Sequence, residues 1–89
     1  MWTLKQTTQF KKDLKRYQNN KSKLQSLQDV LQQLQTNGVV DESHYPHPLK
    51  GNYIGSMECH VEGDFLLIWV DDANQIIKLI RLGSHSELF

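Results

Sequence analysis

Apolar positions recur at helical spacing through the first half of the chain and at strand spacing through the second. Trp2 and Leu4 alternate with polar neighbours, which predicts a short strand over Trp2–Gln6. Thr7 or Thr8 then offers a hydroxyl to cap a helix whose apolar positions Phe10, Leu14 and Tyr17 form one buried stripe. Asn19, Asn20 and Ser22 interrupt the pattern. It resumes with Leu24, Leu27, Val30, Leu31 and Leu34 at spacings of three and four, the clearest helix in the chain, and Asn37-Gly38 ends it. Residues 39–52 contain both prolines, Pro46 and Pro48, which trap His47 between them in an extended loop. From Tyr53 to Val61 the odd positions are apolar or small, while Ser56, Glu58 and His60 share the other face. Glu62-Gly63 is a turn candidate, Phe65–Val70 a central strand buried on both faces, 71–74 a second turn, and Ile76–Leu82 a last strand closed by Gly83. The expected fold is α+β: an N-terminal strand, two helices, then a three-strand antiparallel meander, with the helices on one face of the sheet.

Composition restricts the setting. A chain of 89 residues is one domain, residues 1–89, and buries only somewhat more than about 60% of its unfolded surface, so its core must be simple. One cysteine, Cys59, makes no intramolecular disulfide. No signal peptide and no run of roughly 20 apolar residues is visible, so a cytoplasmic protein without membrane contact is expected. The net charge is zero but unevenly spread. Up to Gln25, Lys5, Lys11, Lys12, Lys15, Arg16, Lys21 and Lys23 face a single acid, Asp13, whereas the remainder is acidic. Solvated helix faces explain such a distribution, and so does a phosphate-tracking patch built on Lys11, Lys12, Lys15 and Arg16.

The candidate chemistry lies in the C-terminal half. His47, His60 and His85 are side chains able to take and give a proton near neutrality, and Asp64 follows His60 across a hairpin. Arg81 is expected on the open face, because Ile80 and Leu82 should point the other way and a buried unpaired guanidinium is costly. Pairing of Arg81 with Glu58 or Asp64 is the structural alternative. A zinc site using His44, His47, Cys59, His60 and His85 is disfavoured by Pro46 and by the lack of a paired-cysteine or HExxH pattern. Ser84-His85 lacks the context of a serine nucleophile.

The ordered set HPLKGNYIG, HVEGD and RLGSHSELF, with the opening TTQFKKDLKR, resembles the RelE superfamily of bacterial toxins and most of all its YafQ subgroup. Glu58 stands where that pattern has an aspartate, and Phe65 where tryptophan is common. The resemblance implies a RelE/ParE-like fold and a type II toxin–antitoxin toxin that cuts messenger RNA on the ribosome and is silenced by a cognate antitoxin. It needs neither metal nor small-molecule cofactor. On that reading His85 is the general acid, His60 or Asp64 the general base, and Arg81 the group that stabilises charge on phosphorus. His47 is a second proton-transfer group or phosphate ligand, Glu58 orients His60, and Phe89 stacks on a base. The alternative is a non-nuclease toxin of the same fold, such as the gyrase-directed ParE branch, or an inert binding module.

Overall fold

In a computed structural model, which describes residues 1–72 and 74–89, Thr7 joins the sheet to the first helix. Strand β1 (Thr3–Gln6) runs parallel to β5 (Ile76–Gly83), with Thr3 opposite Ile76. At its end the Thr7 hydroxyl accepts the Phe10 N–H at 3.2 Å and donates to the Leu79 carbonyl at 2.8 Å. One side chain thus caps α1 (Thr8–Lys15) and ties it to β5. Asn20, part of the break in the helical pattern, caps α2 (Lys21–Asn37) by accepting the Lys23 N–H. Gly38 closes α2 with φ 74° and its N–H on the Leu34 carbonyl. A β-carbon there would stand 2.5 Å from the Trp2 ring. Gly38→Ala is therefore expected to destabilise the fold by roughly 2 kcal/mol or more, read as a lowered Tm, through left-handed strain and overpacking together.

The remaining strands are β2 (His47–Pro48), β3 (Met57–Glu62) and β4 (Phe65–Asp72), and a single helical turn, α3 (His85–Leu88), ends the chain. Sheet order is β1-β5-β4-β3-β2, antiparallel except for β1 beside β5. The helices cover one face, where Phe10, Leu27, Val30 and Leu34 pack on Cys59, Val61, Phe65, Leu67, Trp69, Ile77, Leu79 and Leu82. The second face carries a smaller cluster of Leu66, Ile68 and Leu88, bordered by Leu49, Tyr53 and Ile80. That is why Phe65–Trp69 reads as an unbroken apolar run: it is buried on both sides.

Four local expectations are corrected. The third strand begins at Met57 rather than Tyr53, because Gly51 and Gly55 adopt positive φ and fold residues 51–53 into a 3-10 turn. The hairpin turn falls on Gly63 and Asp64, with Glu62 already paired to Phe65. The turn expected over 71–74 includes Ala73, which lies outside the described residues; on its near side β4 runs through Asp72, and Asn74 and Gln75 have positive φ. Finally, Ile80 does not share a face with Leu82. The ladder steps from Ile68 opposite Arg81 to Trp69 opposite Leu79, so Ile80 is an extra residue that joins the second-face cluster. Among the described residues no helix is long and apolar enough to cross a membrane.

Candidate active site

Two connections, the β3–β4 turn and the start of α3, bring Asp64 to His85. The Asp64 carboxylate accepts both the His85 backbone N–H at 3.0 Å and its ring Nδ1–H at 2.7 Å. Those two bonds, the backbone one foremost, hold the Asp64 carboxyl below its ordinary value. A carboxylate on Nδ1 fixes the His85 tautomer and the orientation of its ring. Ser84 starts α3 with a capping box: its hydroxyl accepts the Glu87 N–H, and the Glu87 carboxylate accepts the Ser84 N–H at 2.8 Å. Glu87 also takes the Tyr17 hydroxyl proton in a hydrogen bond and pairs with Arg16 at 3.3 Å. Burial, followed by that carboxylate, pushes Tyr17 up to about 12, so it remains a donor and ties α3 to the turn that follows α1.

His60 lies on the second face of β3, its ring centroid 6.0 Å from that of His85. Its Nδ1–H donates to the Gly63 carbonyl at 3.0 Å, an uncharged partner that leaves the Nε2 lone pair available. His85 in turn sits 5.9 Å from the Phe89 ring, and Phe89 packs edge-on against Tyr53 at 5.4 Å. The Tyr53 hydroxyl donates to the Leu88 carbonyl and accepts an N–H of Arg81 at 3.2 Å.

Arg81 is anchored from behind. Its Nε and a second guanidinium nitrogen donate to Asp13 of α1 at 2.8 and 3.3 Å, and the Leu82 N–H binds the same carboxylate at 3.0 Å. Asp13 is fully buried. Burial works to raise its pKa, but the bonds from Arg81, Leu82 and Gln9 outweigh it and hold the carboxyl below its ordinary value. Three of the five guanidinium N–H groups are engaged, so the head is oriented while one edge stays free of these contacts. The pairing of Arg81 is with Asp13, not with Glu58 or Asp64.

His47 and Glu58 form a separate pair. The β2–β3 register sets them directly opposite, and His47 Nε2 lies 3.2 Å from Glu58 Oε1. The other ring nitrogen donates to the Tyr45 carbonyl at 2.8 Å, so both nitrogens of His47 face acceptors. Glu58 is 3% exposed, and its second oxygen is buried without a hydrogen-bond partner among the described residues. Glu58 therefore orients His47, not His60: the two-residue strand β2 reaches it first. His44 donates Nδ1–H to the His60 carbonyl and pins the loop to β3. Cys59 points into the core, where burial pushes its thiol up to about 12. Strand alternation thus separates it from His60 and removes it from any zinc set.

The second face thus carries two histidines, a carboxylate, an anchored arginine and an aromatic. Residues 2–89 match the family described as the bacterial toxin of the type II toxin–antitoxin system, YafQ. The chain belongs to the YafQ toxin family. It is 30% identical over 82 residues to the mRNA interferase toxin YafQ of Escherichia coli K12, covering 91% of this chain and 88% of the relative. A metal-bound toxin from Helicobacter pylori superposes with a TM-score of 0.86 at 38% identity over the full length of both chains. YafQ in the E. coli DinJ-YafQ complex superposes with a TM-score of 0.85 at 27% identity, covering 100% of this chain and 99% of that one. The mixed five-stranded sheet and its helices are thus the YafQ fold.

Of the proposed RNA-contacting residues on this YafQ-family toxin, Lys11, Lys12 and Lys15 are exposed on α1, while Arg16 is held by Glu87. Asp13, Tyr53 and Tyr45 were not singled out from sequence. Asp13 stood as one acid in a basic segment, and that contrast was the only local signal for a residue with a special partner.

Proposed function

We propose that this YafQ-family toxin is an endoribonuclease that cuts messenger RNA on the ribosome without metal, and that a cognate antitoxin restrains it. The observation that carries the reading is the pair of imidazoles 6.0 Å apart, each with Nδ1–H fixed, one by a carboxylate and one by a carbonyl. Unequal partners divide the labour. His60, held by an uncharged oxygen, offers Nε2 as the general base that takes the 2′-hydroxyl proton. The oxygen attacks the adjacent phosphorus, and the bond to the 5′-oxygen breaks. His85, whose ring Asp64 orients, protonates that departing oxygen, leaving a 2′,3′-cyclic phosphate and a 5′-hydroxyl. Asp64 is thereby an orienting group for His85 rather than the base. Arg81 presents its free edge to the charge that develops on the phosphoryl oxygens. Phe89, 60% exposed beside His85, is a stacking surface for a base. The His47–Glu58 pair stands on the same sheet face as a second proton-transfer group.

The metal of the H. pylori relative enters no step here. Among the described residues no three His, Cys, Asp or Glu side chains are placed together to hold an ion. Exposed Lys11, Lys12 and Lys15 supply a surface for ribosomal RNA phosphates. The E. coli relative's complex with DinJ supports an antitoxin partner for this chain.

Induction in a bacterial host is expected to arrest growth and to create new transcript 5′ ends within coding regions. Arrest with intact transcripts and altered DNA supercoiling would overturn the nuclease reading.

A further inference from the structure

Tyr45 combines high exposure with an unusual backbone. The residue is 71% exposed, and its backbone is left-handed, with φ and ψ both 52°. A non-glycine residue held there costs roughly 1 kcal/mol or more, and Pro46 restricts it further. The surroundings enforce this geometry. The Tyr45 N–H bonds the Glu42 carbonyl, its own carbonyl accepts His47 Nδ1–H, and the preceding His44 is bonded to the His60 carbonyl. The result places the tyrosine ring edge-on to His60 with centroids 6.0 Å apart. Four rings therefore follow one another, Tyr45, His60, His85 and Phe89, at steps of 6.0, 6.0 and 5.9 Å. The two proton-transfer groups occupy the middle, and an exposed aromatic stands at each end.

On the nuclease reading above, we propose that Tyr45 is the stacking platform for the nucleotide that supplies the attacking 2′-hydroxyl, opposite Phe89. The scissile phosphate lies between His60 and His85, so the two flanking bases must leave it in opposite directions. The base on the His60 side meets Tyr45 and the base on the His85 side meets Phe89. An aromatic face held by backbone bonds loses little freedom when a base settles on it. Tyr45 thus helps set which nucleotide precedes the cut.

The test compares wild type, Tyr45→Asn and Tyr45→Phe on messenger RNA in programmed ribosomes, reading KM, kcat and the base preference on each side of the cut. Asparagine tolerates the left-handed backbone, so the ring is lost without added strain; circular dichroism and Tm verify the fold. Tyr45→Asn is expected to raise KM roughly tenfold or more and to flatten the preference 5′ of the cut while keeping the 3′ preference. Tyr45→Phe, which keeps the ring, should restore both. Wild-type KM and 5′ preference in Tyr45→Asn would overturn the stacking role while leaving the nuclease reading intact, as would a loss confined to kcat. A wild-type protein that leaves RNA uncut would overturn the nuclease reading and this role with it.

Discussion

Replacing Asp13 with alanine should destabilise the protein by about 3 kcal/mol, near the lower end of what breaking a buried ion pair costs. In a domain of this size that lowers Tm by roughly 12 °C or more. Asp13 is wholly buried, and the Arg81 side chain retains 19% exposure. Alanine would strand the guanidinium in a largely dry setting and leave the Leu82 N–H without its acceptor. The effect depends on pH with a definite sign. The folded-state pKa of Asp13 lies below the ordinary value of 3.8, so its contribution is fully present above that value and is lost as pH falls through the folded pKa. The Tm gap between wild type and variant should be large at neutral pH and narrow below about pH 4. A gap independent of pH would show that Asp13 acts through volume rather than charge. Because Arg81 also loses its orientation, cleavage should fall even where the variant is still folded.

Asp13 also shows where sequence reading stops. The helical stripe Leu24 to Leu34, the Asn37-Gly38 stop and the Phe65–Val70 run were legible because each is a local pattern with one physical cause. Strand pairing is not local. Nothing in TLKQ says that it lies parallel to β5, and nothing in HP says that two residues form an edge strand opposite Glu58. By sequence Glu58 and His60 share a face of one strand, which points to a pair. The cross-strand neighbour His47 is nearer, and only the register reveals it. The bulge at Ile80 upset a simple alternation argument, although Arg81 does belong to the second face. Likewise, Asp13 and Arg81 are 68 positions apart, and their pairing depends on where α1 crosses β5. The catalytic candidates themselves were legible as residue types. Their hydrogen-bond partners were not.

His85→Ala should lower kcat by about 10²–10⁴ while leaving stability nearly unchanged, the reverse of the Asp13 variant. His85 is exposed and packs on little besides Phe89 and Asp64, and substitutions at such positions are usually within about 0.5 kcal/mol. If Asp64 works through His85, the two losses will not add. The double variant with Asp64→Ala should cleave no more slowly than His85→Ala alone, whereas independent roles would multiply the defects. Rates and melting curves measured on the three variants settle both points, and wild-type cleavage by His85→Ala would remove the general acid from the scheme.

The central claim is that two imidazoles, without a metal, move the protons of an attack by the neighbouring 2′-hydroxyl. The most direct measurement is the chemistry of the cut ends, made on purified protein and programmed ribosomes in the presence and absence of a chelator that spares the magnesium the ribosome needs. Two-imidazole cleavage leaves a 2′,3′-cyclic phosphate or its 3′-phosphate product upstream and a 5′-hydroxyl downstream, at the same rate with the chelator. A 3′-hydroxyl facing a 5′-phosphate, or cleavage that the chelator abolishes, would contradict it.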